Sequence, residues 1–430
     1  MLHDLADAGH AAFQDGVASC FLARAADEED HVFLYVDNHL RPYTGLHVIR
    51  KGWRMQAKRA VPGVTDYYVH DEDGCPLYRM STTSHDSLCD WLMPVVDFAR
   101  LSLGEQVTPV LVFDRGGSFP AMMAELRDAG AEFVTYERKP YAELPANDFP
   151  NSLTITTASH PAEPVRVSWA EAPGKNLRGG RGRVRRIALL TEDGRQVNVL
   201  AVSKLPAETL ITRLMARWRA QENALKHQVE RWGINHLDGR RVEVYPPDAV
   251  IPNPDRRRLE RVLKLSHTAE GEAWRALARL DKNDPRREHV ERDIAAAMER
   301  QKDIMAQRAF VPRMAKVSET KLAGKLRRHE LGYKNVLDTL RTALANVEAD
   351  LAVLLARHLD RPREAKKLLA ALFAAPGTVK LTSRSLTVKL MPAGSAAEQA
   401  AYARFLDDVT RLKLSLPGDP DGLALRWMLT

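Results

Sequence analysis

Three cysteines are all that 430 residues contain, and Cys20, Cys75 and Cys89 form neither a CxxC pair nor an even-numbered framework. That excludes zinc ribbons and the disulfide scaffolds of small secreted proteins. The apolar core of a signal peptide is missing too, because MLHDLADAGHAAFQDG is polar. No run approaches the roughly 18 apolar residues that span a bilayer. No repeat period recurs, so solenoids and propellers drop out. A strong excess of one charge is also lacking: 63 Lys and Arg against 56 Asp and Glu give +7, and the pI is near 9.2. That balance is compatible with nucleic acid as a partner without pointing to it. With 45% apolar residues, the chain can build real cores in two or more domains. A soluble intracellular protein is expected, cytoplasmic and nucleoid-associated if DNA is its partner.

Residues 1–30 read as a helical lead-in that ends in the acidic run Asp27–Asp30. From 31 to 140 strands come first and then alternate with helices, which predicts an α/β domain with a mixed sheet. HVFLYVD, GLHVIRKGW, TDYYVHDEDGCPLYRM, PVLVFD and EFVTYERK read as strands. SLCDWLMPVVDFARLSL reads as a helix with Leu88, Leu92, Val95, Val96 and Ala99 on one face. Residues 141–204 break the rhythm with four strand-like runs between Pro- and Gly-rich joints, a β-rich insertion after which the α/β domain resumes over 205–245. Inside it GKNLRGGRGRVRR holds Lys175, Arg178, Arg181, Arg183, Arg185 and Arg186, either a solvated loop or a flexible phosphate-contacting arm. Beyond a proline-punctuated linker, helices over 255–281 and 286–308 form a hairpin within 255–310. Here Leu259, Leu263, Ala273, Leu277 and Leu280 face Val290, Ile294 and Met298. The α+β region over 311–430 opens with a helix over 319–358 carrying Leu337, Leu340, Leu344, Val347, Leu351, Leu354 and His358 near heptad spacing.

Three carboxylates carry the chemistry. Asp37 interrupts the apolar run HVFLYVDNHLRPYTG, Asp114 closes PVLVFDRGGSF, and Glu222 sits in the helical stretch ETLITRLMARWRAQENALKHQ. Each has a plain explanation alone: a strand-end Asp caps a turn, and a Glu beside Asn lies on a solvated helix face. Together, on two strands and one helix, they can converge. A carboxylate at the end of a buried strand is unfavourable unless paired or holding a metal. Three that converge make a hard-oxygen site for Mg²⁺ or Mn²⁺, suited to phosphoryl transfer.

This arrangement resembles the DDE-type transposases of bacterial insertion sequences, which share the ribonuclease H-like fold. VDNHLRPYTG is similar to the segment around that family's first Asp, PGVTDYYVHDEDGCPLYRM to the strand pair after it, and VLVFDRGGSFP to the second-Asp strand. RWRAQENALKH resembles the helix of the third residue, with one extra residue, Ala220, before Gln221-Glu222. PNPDRRRL, SLTVKL and ALRW resemble the linker and tail of long-tailed members. The resemblance implies a ribonuclease H-like mixed sheet with a β-rich insertion and a long-helix C-terminal region. It also implies metal-dependent cleavage and strand transfer of DNA, at the mobile element's ends and at the target. Asp37, Asp114 and Glu222 would hold two Mg²⁺ or Mn²⁺ ions. Arg115, Arg219 and Lys226 would position phosphates, and Lys58 and Arg59 could do the same from an exposed connection. Trp218 is expected in the core, and His39 as a hydrogen-bonding support.

Members of that family begin with a helix-turn-helix region, and Asp37 leaves no room for one here. That motivates a second reading, a catalytically inactive truncated remnant that binds nucleic acid or protein partners. A ribonuclease H-like nuclease without strand transfer is a third. The helical hairpin either braces its own chain, the expected role, or supports a homodimer on DNA. No membrane partner is expected.

Overall fold

This computed structural model describes residues 2–26, 30–55, 57–104, 106–155, 164–177, 182–217, 221, 223–239, 241–281, 283–415 and 422–430. Two helices, α1 (Leu2–Ala8) and α2 (His10–Ala25), lead into β1 (His31–Pro42). Then come β2 (Val48–Ile49), β3 (Lys51–Arg54), β4 (Arg59–His70) and β5 (Pro76–Thr82). Helix and strand alternate through α3 (Cys89–Leu103), β6 (Thr108–Phe113), α4 (Pro120–Asp128) and β7 (Glu132–Tyr136). Four strands follow, β8 (Asn151–Ile155), β9 (Val165–Asn176), β10 (Arg183–Thr191) and β11 (Gln196–Val202), and then α5 (Ala207–Arg217) and α6 (Ala224–Trp232). Short strands β12 (Val242–Val244) and β13 (Val250–Pro252) precede the long helices α7 (Pro254–Leu277) and α8 (Arg287–Phe310). Next are β14 (Met314–Lys316), β15 (Leu326–His329) and α9 (Gly332–Ala356). The chain closes with α10 (Ala365–Phe373), β16 (Gly377–Leu381), β17 (Ser385–Leu390), α11 (Ala396–Arg411) and β18 (Ala424–Leu429).

These elements form two compact units: Met1–Arg41, Thr65–Asp238 and Leu331–Thr430 in the first, Pro42–Val64 and Gly239–Glu330 in the second. The protein is α/β, as expected. Its main sheet has ten strands in hydrogen-bonded succession, β3-β4-β1-β6-β7-β11-β10-β9-β8, with β5 added on β4. The first unit holds most of it, and β3 with the opening residues of β4, its partner, belongs to the second. β1, β6 and β7 are parallel neighbours. Their near-continuous apolar runs reflect burial on both faces. Val32, Leu34 and Val36 of β1, with Leu111 and Phe113 of β6, join one core with α2, α3 and α4. Phe33 and Tyr35, with Val110 and Val112, face the other way into a core closed by Leu210, Ile211 and Leu214 of α5. Leu88, Leu92, Val95, Val96 and Ala99 are all buried, so the face expected for α3 is the one it packs.

Strands β8 to β11, expected as an insertion, continue the same sheet: β11 lies antiparallel on β7, and β10, β9 and β8 follow. Pairing with β11 satisfies the backbone groups that β7 would otherwise expose as an edge. The described residues of the glycine-rich basic stretch belong to the paired ends of β9 and β10, and Arg178 and Arg181 lie outside the described residues. Its other cations are engaged. Lys175 and Arg186 reach buried Glu137 at 2.9 and 3.0 Å, Arg185 pairs with Glu171, and Arg183 bonds Asn176.

In the second unit α7 and α8 form the expected antiparallel hairpin, with Leu259, Leu263 and Ile304 in one cluster and Ser266 Oγ donating to the Ala297 carbonyl at 3.1 Å. Met298, expected inside, is 53% exposed, because Ile294 and Gln301 take the packed face of α8. The helix expected over 319–358 starts only at Gly332, because Leu326–His329 pairs as β15 with β12 and β2. Charge divides sharply between the units. Over Pro42–Val64 and Gly239–Glu330 there are 27 Lys and Arg against 15 Asp and Glu, or +12, so the remainder of the chain carries −5 of the total +7.

Over Gly332–Glu348 the face that α9 buries is largely polar, and beyond it Ala352 and Leu355 join an apolar cluster. Lys334, Asp338, Thr339, Thr342, Asn346 and Glu348 are buried, whereas Leu340, Leu344 and Val347 of the heptad row are 37%, 50% and 48% exposed. Beneath it lies an ionic network. Asp66 pairs with Arg41 and Arg79, Arg79 also reaches Asp338, and Lys334 bonds Asp338 at 2.6 Å and Asp238 at 2.9 Å. Arg341 bridges the same two aspartates. Burial alone would raise the Asp66 carboxyl, but Arg41 and Arg79 outweigh it and hold the group below the usual carboxylate range. For Asp238, hydrogen bonds from Arg341 and Lys334 overcome burial and bring it down to about 2.

Candidate functional site

Asp37 and Asp114 lie side by side where the pairing of two adjacent parallel strands ends, Asp114 just past the carboxyl end of β6 and Asp37 midway along β1. β1 and β6 pair in register up to Val36 opposite Phe113, so Asp37 and Asp114 are the next residues on each side. Adjacent strands lie about 4.8 Å apart. Side chains alternate along a strand, so Asp37 follows Phe33 and Tyr35 onto the α5 face, and Asp114 follows Val110 and Val112. Ligand-binding groups in open parallel sheets gather at such strand ends.

Each carboxylate is held by a short-range partner. The Asp37 Oδ2 atom accepts from Arg217 Nη1 at 3.0 Å, in a pair that is largely shielded from solvent. The Asp114 Oδ1 atom accepts from the Gly116 backbone N–H at 2.6 Å, and the Asp114 carbonyl accepts from Thr135 Oγ1 at 3.2 Å. A side chain at Gly116 would push against Asp114, since a Cβ there would sit 2.6 Å from Oδ1. The Asp-Arg-Gly-Gly turn therefore needs its first glycine for close approach.

α5 is anchored to the strand ends by two tyrosines. The Tyr35 hydroxyl donates to the Arg213 carbonyl at 3.0 Å, and the Tyr136 hydroxyl donates to the Leu214 carbonyl at 3.4 Å. Arg217 Nη1, besides holding Asp37, donates to the Gln221 side chain at 3.1 Å, and Gln221 is fully buried. One guanidinium thus links the first aspartate to the residue directly before Glu222.

Glu222, Arg219 and Trp218 lie outside the described residues. Among the described residues no group of three His, Cys, Asp or Glu side chains is gathered to hold a metal. Arg115 is exposed just after Asp114, its guanidinium 5.7 Å from the centre of the Tyr136 ring. Lys226 is exposed on α6. Lys58 and Arg59 are exposed at the β3–β4 turn of the second unit. His39 bonds Asn235 at 2.7 Å. Arg217 and Gln221 were not singled out in the sequence, although a signal exists. They extend the spacing of Leu210 and Leu214, the row that α5 turns to the sheet, by one and two further turns.

A groove of about 860 Å³ in the first unit has walls that include Asp71, Cys75, Asn223, His227, Glu348 and Lys366. Burial pushes the Asp71 carboxyl up to about 6 and the Cys75 thiol up to about 12. Cys20, Cys75 and Cys89 are free thiols. Among the described residues no helix is long and apolar enough to cross a membrane.

The site thus joins two carboxylates on neighbouring strands, an arginine paired with the first of them, and a helix fixed over the sheet. No curated protein matches the chain. A family model described as transposase protein matches residues 19–379, most of the chain, which therefore belongs to that transposase family.

Proposed function

We propose that the protein cleaves and joins DNA at the ends of an insertion sequence by a DDE mechanism on a ribonuclease H-like domain, with Asp37, Asp114 and Glu222 as the triad. The observation that carries this reading is the adjacent position of Asp37 and Asp114 where the β1–β6 pairing ends, on a shared face of the sheet. Support for Glu222 comes from its neighbour Gln221, tied through Arg217 to Asp37.

The donor set fits a hard cation. The two aspartates offer carboxylate oxygens alone, without the sulfur or imidazole that softer metals favour. Bound by Asp37, Asp114 and Glu222, two Mg²⁺ or Mn²⁺ ions would supply Lewis acidity for an in-line displacement at a phosphodiester. The chain's own groups do the positioning. Arg217 orients Asp37, the Gly116 N–H orients Asp114, and Tyr35 of β1 and Tyr136 of β7 hold the C-terminal half of α5 on the sheet. Arg115, Arg219 and Lys226, and separately Lys58 and Arg59, would take DNA phosphates, which fix register without reading sequence.

The test is Mg²⁺-dependent cleavage and strand transfer on element-end DNA by Asp37→Asn, Asp114→Asn and Glu222→Gln. Loss of a partner that merely supports a metal ligand lowers activity about 10- to 100-fold, so loss of a ligand should exceed that. Circular dichroism should remain that of the parent. Normal cleavage by any one variant would sink the triad. A parent protein that binds DNA yet never cuts it would favour the inactive remnant.

A further inference from the structure

The second unit carries the protein's net positive charge, and on α7 cations form a row. Arg257, Arg261, Lys264 and Arg275 are spaced four, three and eleven positions apart. At about 100° per residue they fall within some 60° of arc. The packed residues Leu259, Leu263 and Leu277 are buried on the other side of the helix. All four cations are exposed. Thr268 and Gly271 continue the row between Lys264 and Arg275.

Surface helices ordinarily mix signs along such a face. Here the helix's acids are used elsewhere: Asp255 pairs with Lys321, Glu260 with Arg256, and Glu270 accepts from Gln301 at 2.8 Å. Glu272 stands beside the row. Among the described residues none of the four cations forms an ion pair. Arg257 and Arg261 are moreover a like-charge pair one turn apart, which weakens a helix unless an anion lies against it. From Arg257 to Arg275 the row runs about 27 Å at roughly 1.5 Å per residue, most of a turn of B-DNA.

Resting on the DNA-processing reading, we infer that this face of α7 is a duplex-binding surface on which Arg257, Arg261, Lys264 and Arg275 contact backbone phosphates. It is a second DNA contact, separate in sequence from the carboxylates, and it reads no bases.

Fluorescence anisotropy of a labelled, non-specific 30-base-pair duplex, titrated with the full-length protein across a salt series, tests this. The variant R257Q/R261Q/K264Q/R275Q keeps helix-forming side chains and removes four charges. Its control, R292Q/R300Q/K302Q/K325Q, removes four exposed charges of the same unit away from α7. Each lost phosphate contact lowers the slope of log K against log salt by about 0.9, so the first variant should lose about three to four units of slope. Its affinity near 0.15 M salt should fall at least about tenfold, with the control near the parent. Equal losses in both variants would mean that net charge alone attracts DNA, overturning the surface and leaving the function standing. An unchanged slope in the α7 variant would do the same. A parent protein that binds no duplex would overturn both.

Discussion

Asp37 and Asp114 were legible because a carboxylate at the end of an apolar β run is anomalous, and the anomaly survives without knowledge of the fold. Arg217 was not, because an arginine in a charged helix is ordinary until the helix is laid on the strands. Arg41 is similar. In sequence it is one letter of Arg-Pro-Tyr-x-Gly, but in the structure it is a fully buried cation facing Asp66. Two guanidiniums and the Ser81 hydroxyl depend on that carboxylate. Removing one partner of a buried ion pair leaves an uncompensated charge, which costs about 3–5 kcal/mol. Asp66→Ala should therefore lower the urea midpoint by an amount equivalent to that loss. A change below about 1 kcal/mol would mean that water reaches the arginines.

At the scale of elements, the strands and the α7–α8 hairpin followed their periodicity, whereas the start of α9 did not. Leu326–His329 is too short to show a period of its own, and only its partners β12 and β2 make it a strand. The β4–β5 turn shows a different kind of information. Asp71 accepts from the backbone N–H groups of Asp73 and Cys75 at 3.0 and 2.8 Å, which any Asx turn would do. Burial nevertheless pushes its carboxyl up to about 6. A carboxyl raised on folding binds its proton more tightly in the native state. Its contribution is therefore full below about pH 4 and is lost as pH rises through about 6. Asp71→Asn keeps the acceptor and removes the charge. Its stability advantage over the parent should be near zero at pH 4 and, after allowance for partial solvent access, about 1–2 kcal/mol at pH 8. Urea titrations at the two pH values measure this, and a gap of the same size at both would refute it.

Across the whole molecule, the α/β class and the strand-to-helix order were legible because they depend on local patterns. The division of charge was not. A total of +7 hides +12 in one unit, because that unit is assembled from two segments 174 residues apart in the chain, Pro42–Val64 and Gly239–Glu330. The interior of the first unit is likewise of two kinds, methyl groups and rings under α3 and α5, and charges under α9. These respond to temperature to different degrees. Apolar burial gains little on warming, while withdrawing ions from water becomes less unfavourable. The seat of α9 should thus keep its hold at temperatures where the α3 layer loosens. Amide exchange followed from 15 to 45 °C would register this as protection in α9 that decays more slowly than in α3. Equal decay in the two helices would contradict it. A helix that looks inside out by its leucines is then a thermal clasp, its grip set by hydration of ions.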